Sequence, residues 1–82
     1  MRQEQIDLDA AAARLQEALA LAYELGMRPE IARCQVSLAR LHRRRGEMVT
    51  ADEHAAAAVA LYREFGATFW AERAATELDE RR

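Results

Sequence analysis

The sequence PEIARCQVSLARLHRRRG, residues 29–46, carries the clearest helical pattern in the chain. Its first residue is a proline, which suits the first turn of a helix because the N–H that proline lacks would have no partner there. Its last residue, Gly46, can adopt the left-handed conformation that ends many helices. Apolar residues recur between them at spacings of three and four, as one buried face of a helix requires: Ile31, Cys34, Leu38 and Leu41. We therefore expect a helix over 29–45 that packs against other helices.

The same spacing of apolar residues predicts three more helices, at about 8–25, 50–65 and 68–79. Gly26 and Gly66 follow the first and the third of these, just as a glycine follows the central helix. The chain is 51% hydrophobic and 32% charged, a balance typical of folded proteins, and much of its hydrophobic content is alanine, the strongest helix former. We expect one all-α domain over residues 1–82, built from four antiparallel helices.

Polar residues predict where three of the helices begin. Asp7 or Asp9 would cap the first helix, because a short side-chain oxygen can accept hydrogen bonds from the free N–H groups of the first turn. Thr50, with Glu53 three residues later, matches the capping box and would start the third helix. Thr68 would cap the fourth helix in the same way. The residues before the first cap are expected to lie outside the helix.

The chain contains an internal repeat with a period of 40 residues. ALALAYELG at 18–26 aligns with AVALYREFG at 58–66, and beyond this segment Arg33 aligns with Arg73 and Leu38 with Leu78. A period of this size in a helical sequence is typical of arrays of helix pairs, in which each pair buries its open side against the next. The first and third helices are therefore equivalent, as are the second and fourth.

The middle of the chain, about 33–62, resembles a tetratricopeptide repeat. The matching features are a Leu-Ala pair, an inter-helix glycine with an acidic neighbour, and two small contact residues: Leu38, Ala39, Gly46, Glu47, Ala51 and Ala58. His42 and Ala55 depart from the family, which often has aromatic residues there, and the period exceeds the usual 34 residues. The resemblance implies a solenoid segment of helix hairpins.

Two longer stretches narrow the resemblance: GMRPEIARCQVSLARLHRRRGE at 26–47 and LYREFGATFWAERAATEL at 61–78. They are similar to the tetratricopeptide tail at the C-terminal end of large bacterial signalling proteins, which combine an ATP-binding module with a nucleotide-cyclase or DNA-binding domain. The resemblance implies a bacterial protein-interaction or sensing element. It does not carry over the activities of those other domains.

In tetratricopeptide arrays the first helix of each pair lines the concave side, which here implies a binding surface made of Arg33, Val36, Ser37, Arg40, Arg43, Arg44 and Arg73. Four of its members, Arg33, Ser37, Arg40 and Arg44, share one stripe of the central helix. Guanidinium groups bind carboxylates through paired hydrogen bonds, so an acidic peptide or a C-terminal carboxylate is the expected ligand. The alternative is a solvated stripe that pairs with acidic residues of neighbouring helices. Arg43 and Arg44 also lie in the last turn, where cations are favourable next to the negative end of the helix dipole.

Self-association is a second hypothesis, because the first and last helices each lack a repeat neighbour on one side. Their outward faces would be covered in a homodimer or by neighbouring repeats of a larger protein. The candidate contact residues are Leu8, Leu15, Leu19, Phe69 and Trp70.

Other classes of function find little support in the sequence. Two histidines and one cysteine are the available soft ligands, and no metal, phosphate-binding or catalytic motif accompanies them, so we expect no enzyme activity, metal or cofactor. Residues 28–45 carry a net charge of +5, but the whole chain carries −2 and aromatic residues do not alternate with the arginines, which argues against nucleic-acid binding. The N-terminal sequence is polar and no apolar run could span a membrane, so we expect a cytoplasmic protein.

Overall fold

The computed structural model describes residues 2–79, which form four helices and no strand within that range. The all-α prediction is therefore confirmed. The helices are α1 (Arg2–Leu25), α2 (Arg28–Arg44), α3 (Met48–Glu64) and α4 (Thr68–Asp79). No helix within the described residues is both long enough and apolar enough to cross a membrane.

The first helix begins six residues earlier than the sequence pattern predicts, at Arg2 instead of residue 8. Asp7 and Asp9 lie inside it and do not cap it. Their carboxylates accept hydrogen bonds of 3.2 Å from the side chains of Gln3 and Gln5, each one turn earlier. Pairs of this spacing stabilise a helix, and this explains how a polar segment without apolar periodicity extends α1.

The predicted capping box at the start of the third helix is also wrong. The helix begins at Met48, so Thr50 lies in its first turn, and the N-cap residue is Glu47, whose side chain makes no capping hydrogen bond. The Glu47 carboxylate instead accepts a 2.6 Å hydrogen bond from His42. The first backbone bond of α3 runs from the N–H of Ala51 to the carbonyl of Glu47.

Thr68 is not a cap either, because α4 starts with it, and the first backbone bond joins the N–H of Ala71 to the carbonyl of Ala67. The three helix-ending glycines were predicted correctly, with φ of +67°, +81° and +75° at Gly26, Gly46 and Gly66. After each glycine the next N–H donates a 2.9 Å bond to the carbonyl five residues earlier: Met27 to Ala22, Glu47 to His42, and Ala67 to Tyr62. This hydrogen bond closes the preceding helix, and the next helix starts two residues after each glycine.

The helices pack in sequence order. α2 contacts all three other helices, α3 contacts α2 and α4, and α1 contacts α2 alone. The contact between α3 and its two neighbours is made by small side chains, since Ala51, Ala55 and Ala58 are fully buried. Small side chains at these three positions let the backbones come closer there than longer side chains would, and Val59 and Tyr62 are the larger side chains that α3 buries.

A second cluster joins the first two helices through Leu19, Ala22, Ile31 and Leu38. Leu38 is fully buried, and Leu19, with 9% of its surface exposed, lies in this core. The prediction that Leu19 belongs to an outward self-association face is therefore wrong. Its aligned residue in the second repeat, Val59, is buried in the equivalent place between α3 and α4.

The close approach of α3 to its neighbours predicts a strong position dependence of alanine-to-leucine substitutions. Ala55→Leu would force three added carbon atoms into a fully buried contact and should lower the free energy of unfolding by about 1–3 kcal/mol. Ala56→Leu makes the same change on the exposed side of the same helix and should have an effect within about 0.5 kcal/mol. Urea titration followed by circular dichroism measures both. Equal losses in the two variants would contradict this packing arrangement.

Candidate functional site

A groove runs between α2 and α4, with one side chain of α3 at its floor. We call it the α2–α4 groove; its central hollow has a volume of about 220 Å³ and is lined by Arg33, Val36, Ser37, Arg40, Tyr62, Trp70, Arg73 and Ala74. Five of the seven predicted binding residues are therefore brought together: Arg33, Val36, Ser37, Arg40 and Arg73.

The groove continues toward the start of α2 as an aromatic pocket. This second hollow, of about 290 Å³, shares Arg33, Tyr62 and Trp70 with the first and adds Pro29 and Phe65. The Tyr62 ring lies 6.4 Å from the Trp70 ring and 6.2 Å from the Phe65 ring, measured between centroids. Tyr62 is buried, whereas 52% of the Trp70 surface is exposed, so the indole is the main apolar surface open to a ligand.

Trp70 lies in this groove and not on an end face of the helical array, as the self-association hypothesis had placed it. A signal for this position was present in the sequence. Trp70 precedes Arg73 by three residues on one helix, and residues with that separation lie on the same side. Arg73 was assigned to the binding surface, so Trp70 belonged there too.

The three arginines of the groove differ in their electrostatic partners. Arg33 bonds to Glu30 of its own helix at 2.7 Å, and Arg40 reaches across to the buried Glu77 of α4 at 2.8 Å. Arg73 lies over the aromatic rings of Phe69 and Trp70, with its central carbon 5.7 and 5.8 Å from their centroids. The side chains of Arg33 and Arg40 are more than half exposed and a guanidinium has five N–H donors, so donors remain for a ligand.

Arg43 is mainly a structural residue, and its assignment to the open binding surface is wrong. Only 12% of its side chain is exposed. Its guanidinium donates to the backbone carbonyl of Glu77 in α4 and lies 3.5 Å from the carboxylate of Asp52 in α3. One side chain of α2 thus ties together the three helices that form the groove.

Arg44 points away from Trp70 and pairs with Glu4 of α1 at 3.0 Å. With Arg40, Arg43 and Glu77 it borders a wide depression that continues beyond Arg40. The structure therefore does not bring Arg44 to the aromatic part of the groove. The alternative role for the stripe, pairing with acids of neighbouring helices, applies to Arg40 and Arg44.

The residues proposed for self-association do not form one surface. Leu8 and Leu15 are half-buried on α1, Phe69 is exposed on α4, and α1 and α4 make no contact with each other. Any role of these residues in self-association would need two separate surfaces.

Outside the groove, two histidines from α2 and α3 stack on each other. The rings of His42 and His54 are 5.3 Å apart and nearly parallel. The Nδ1–H of His54 donates a 2.6 Å bond to Oε1 of Gln35, and His42 bonds to Glu47. Burial and the neighbouring His42 lower the pKa of His54, partly offset by Glu53. Within the described residues no cluster of three or more suitable side chains could hold a metal ion.

The three-helix contacts of Arg43 predict a structural phenotype. Arg43→Ala leaves the carboxylate of Asp52 and the carbonyl of Glu77 without this donor and should lower the free energy of unfolding by about 2 kcal/mol. The matched control is Arg44→Ala, which removes an exposed ion pair and should cost less than about 1 kcal/mol. Denaturant titration of both variants measures this difference. Near-equal losses in the free energy of unfolding would show that the contacts of Arg43 do not hold the three helices together.

The histidine pair predicts a pH dependence of stability. A depressed pKa means that the folded chain favours neutral His54, whereas the unfolded chain binds a proton near the ordinary value of 6.5. The free energy of unfolding should therefore be highest above pH 6.5 and should fall as the pH drops through 6.5 toward the lower folded pKa. Hydrogen bonding from His42 lowers the pKa of Glu47 as well, and its stabilisation is lost only at pH below its ordinary 4.5.

His54→Gln tests this assignment, because a glutamine amide can also donate to Gln35 but cannot titrate. Denaturant titrations at pH 7.5 and 5.5 should show a smaller loss of stability for the variant than for the parent. An unchanged pH dependence would assign it to other groups.

Comparisons of the chain with protein-family models, with curated proteins and with solved structures find no match. The tetratricopeptide resemblance therefore stays a prediction made from the residues of this sequence.

Proposed function

We propose that this chain is a non-enzymatic protein-interaction module that binds an acidic peptide in the α2–α4 groove. The observation that carries the proposal is the meeting of three exposed arginines with a half-exposed tryptophan in one elongated hollow. Arg33, Arg40 and Arg73 come from two helices, so the folded chain concentrates positive charge that is 33 to 40 residues apart in sequence.

The aromatic part of the groove supports an apolar anchor in the ligand. Trp70 offers a large, rigid surface backed by the buried Tyr62 ring, and well-packed tryptophans of this kind dominate the energy of many interfaces. A leucine or phenylalanine of the peptide would cover the indole between Arg33 and Arg73. The apolar contact supplies affinity, and the arginines select the charge of the flanking residues.

The arginines support carboxylates as those flanking groups. Arg73 lies over the Phe69 and Trp70 rings, which attract its charge but accept none of its N–H groups in a strong hydrogen bond, so its donors can bind a carboxylate. Arg40 is already held by Glu77, which orients it without neutralising all of its donors. A peptide with acidic residues on both sides of an apolar one therefore matches the groove in charge and in shape.

A second candidate is a packing element within a larger bacterial signalling protein, or a self-associating domain. It is favoured by the exposed apolar residues of α1, namely Ile6, Leu21, Tyr23 and Leu25. The bacterial, cytoplasmic and signalling setting rests on the sequence resemblance alone.

The test uses a short peptide in which one phenylalanine is flanked by glutamates and aspartates. The control peptide has lysines in place of these acidic residues. Trp70 is the sole tryptophan of the chain, so its fluorescence reports occupation of the groove directly. We expect saturable binding that weakens with salt and that Arg40→Glu weakens at least about tenfold. Arg14→Glu reverses an exposed arginine of α1 and should leave binding unchanged. Equal affinity of the Arg40→Glu variant would contradict the proposal.

A further inference from the structure

Because the chain contains an internal repeat, α1 can be compared with α3 position by position, and the comparison shows which contacts α1 lacks. α1 and α3 are equivalent: both end at a glycine with positive φ, and both bury an aliphatic side chain against the helix that follows. For α1 that side chain is Leu19, which packs on Ile31; for α3 it is the aligned Val59, which packs on Ala71.

The two helices differ in their second neighbour. α3 is also covered by the preceding helix, α2, and its alanines 51, 55 and 58 are fully buried. The aligned residues of α1 are Ala11, Leu15 and Ala18. Leu15 packs against the cluster that α1 shares with α2, so we call Ala11 and Ala18 the free face of α1. Ala11 and Leu15 are half-buried and Ala18 is exposed, because α1 contacts α2 alone. The free face is the place that α2 occupies in the second repeat.

The lack of a second neighbouring helix also leaves a hollow beside the free face of α1. It has a volume of about 260 Å³ and is lined mainly by apolar residues of α1 and α2, among them Ala18, Leu21, Leu25 and Cys34. Cys34 aligns with Ala74, which is buried in the cluster that contains Ala32 of α2. Cys34 is only half-buried because no helix stands in the equivalent position beside it.

The charges around the free face indicate what kind of helix would fit. In the second repeat, Glu64 of α3 pairs with Arg28 at the start of α2, and Glu47 pairs with His42 and Arg45 at its end. The aligned residues on α1 are Glu24 and Asp7. Within the described part of the chain, neither of these two carboxylates, nor Glu17 between them, pairs with a cation. An incoming helix that repeats the arrangement of α2 is therefore basic at both ends.

We propose that the free face of α1 is a docking site for a basic amphipathic helix of a different protein, running antiparallel to α1 with small residues at the contact. A second copy of this chain does not meet that description. Its α1 carries four more acidic than basic residues over 3–25, so two such helices would bring like charges together, and its α2 is already packed against three helices. The site is separate from the α2–α4 groove, so the inference goes beyond the proposed function.

The experiment uses as the probe a synthetic peptide that copies residues 27–46 with alanine in place of Cys34, since α2 is the helix that covers the equivalent face and the intact chain then carries the sole cysteine. We expect saturable binding to the intact chain and slower alkylation of Cys34, the sole cysteine, at a fixed alkaline pH chosen because burial raises the pKa of this thiol. Ala18→Glu should weaken peptide binding at least about tenfold. Ala56→Glu, at an exposed position of α3, should leave it unchanged.

A charge exchange makes the test specific. Glu24→Arg should weaken binding of the native peptide, and a peptide carrying Arg28→Glu should bind the Glu24→Arg chain better than it binds the parent chain. Equal affinity of the peptide for the parent chain and the Ala18→Glu variant would overturn the proposal, because the peptide would then occupy another surface or replace the chain's own α2. No detectable binding would overturn it as well. Binding of the acidic peptide in the groove should be the same in the Ala18→Glu variant, so the two proposals fail independently.

Discussion

The close contact of α3 with the helices on either side of it is the constraint on which the rest of this fold depends. Its three fully buried alanines leave little side-chain volume where they meet the neighbouring helices, and Val59 and Tyr62 fill the rest of the contact. That constraint brings the sides of α2 and α4 next to each other. The α2–α4 groove is the space that remains between them, with Tyr62 of α3 at its floor.

Polar ties then fix the width of the groove. Glu77 of α4 is largely buried and faces two arginines of α2, bonding to Arg40 through its carboxylate and to Arg43 through its backbone carbonyl. Burial of one carboxylate between two guanidinium groups holds α4 in register along α2. Arg40, which would attract an acidic ligand, thus also helps to set the geometry of the surface that the ligand would meet.

The sequence was informative wherever a residue type has one main structural use. Left-handed glycines at 26, 46 and 66 located the ends of three helices to within one or two residues, whereas the polar start of α1 was missed by six. The caps were wrong because each new helix begins two residues after its glycine, which places Thr50 in the first turn of α3 and Thr68 at the first position of α4. The site prediction recovered the groove side of α2, but it misplaced residues whose role depends on a partner far away in sequence.

Arg43 shows why that part could not be predicted: nothing near it in the chain reveals that Asp52 and Glu77 surround it. The arginines of the α2 segment fall into two groups, those that pair with acidic residues of other helices and those that line the groove. Arg28, Arg44 and Arg45 pair with acids of α3 or α1, so these charges hold helices together and add little to the field that a ligand meets. Arg33, Arg40 and Arg73 line the groove beside the only tryptophan; Arg33 and Arg40 also pair with Glu30 and Glu77, but both side chains are more than half exposed. A net charge of +5 in the sequence of one helix therefore becomes a local site of three arginines in the folded chain.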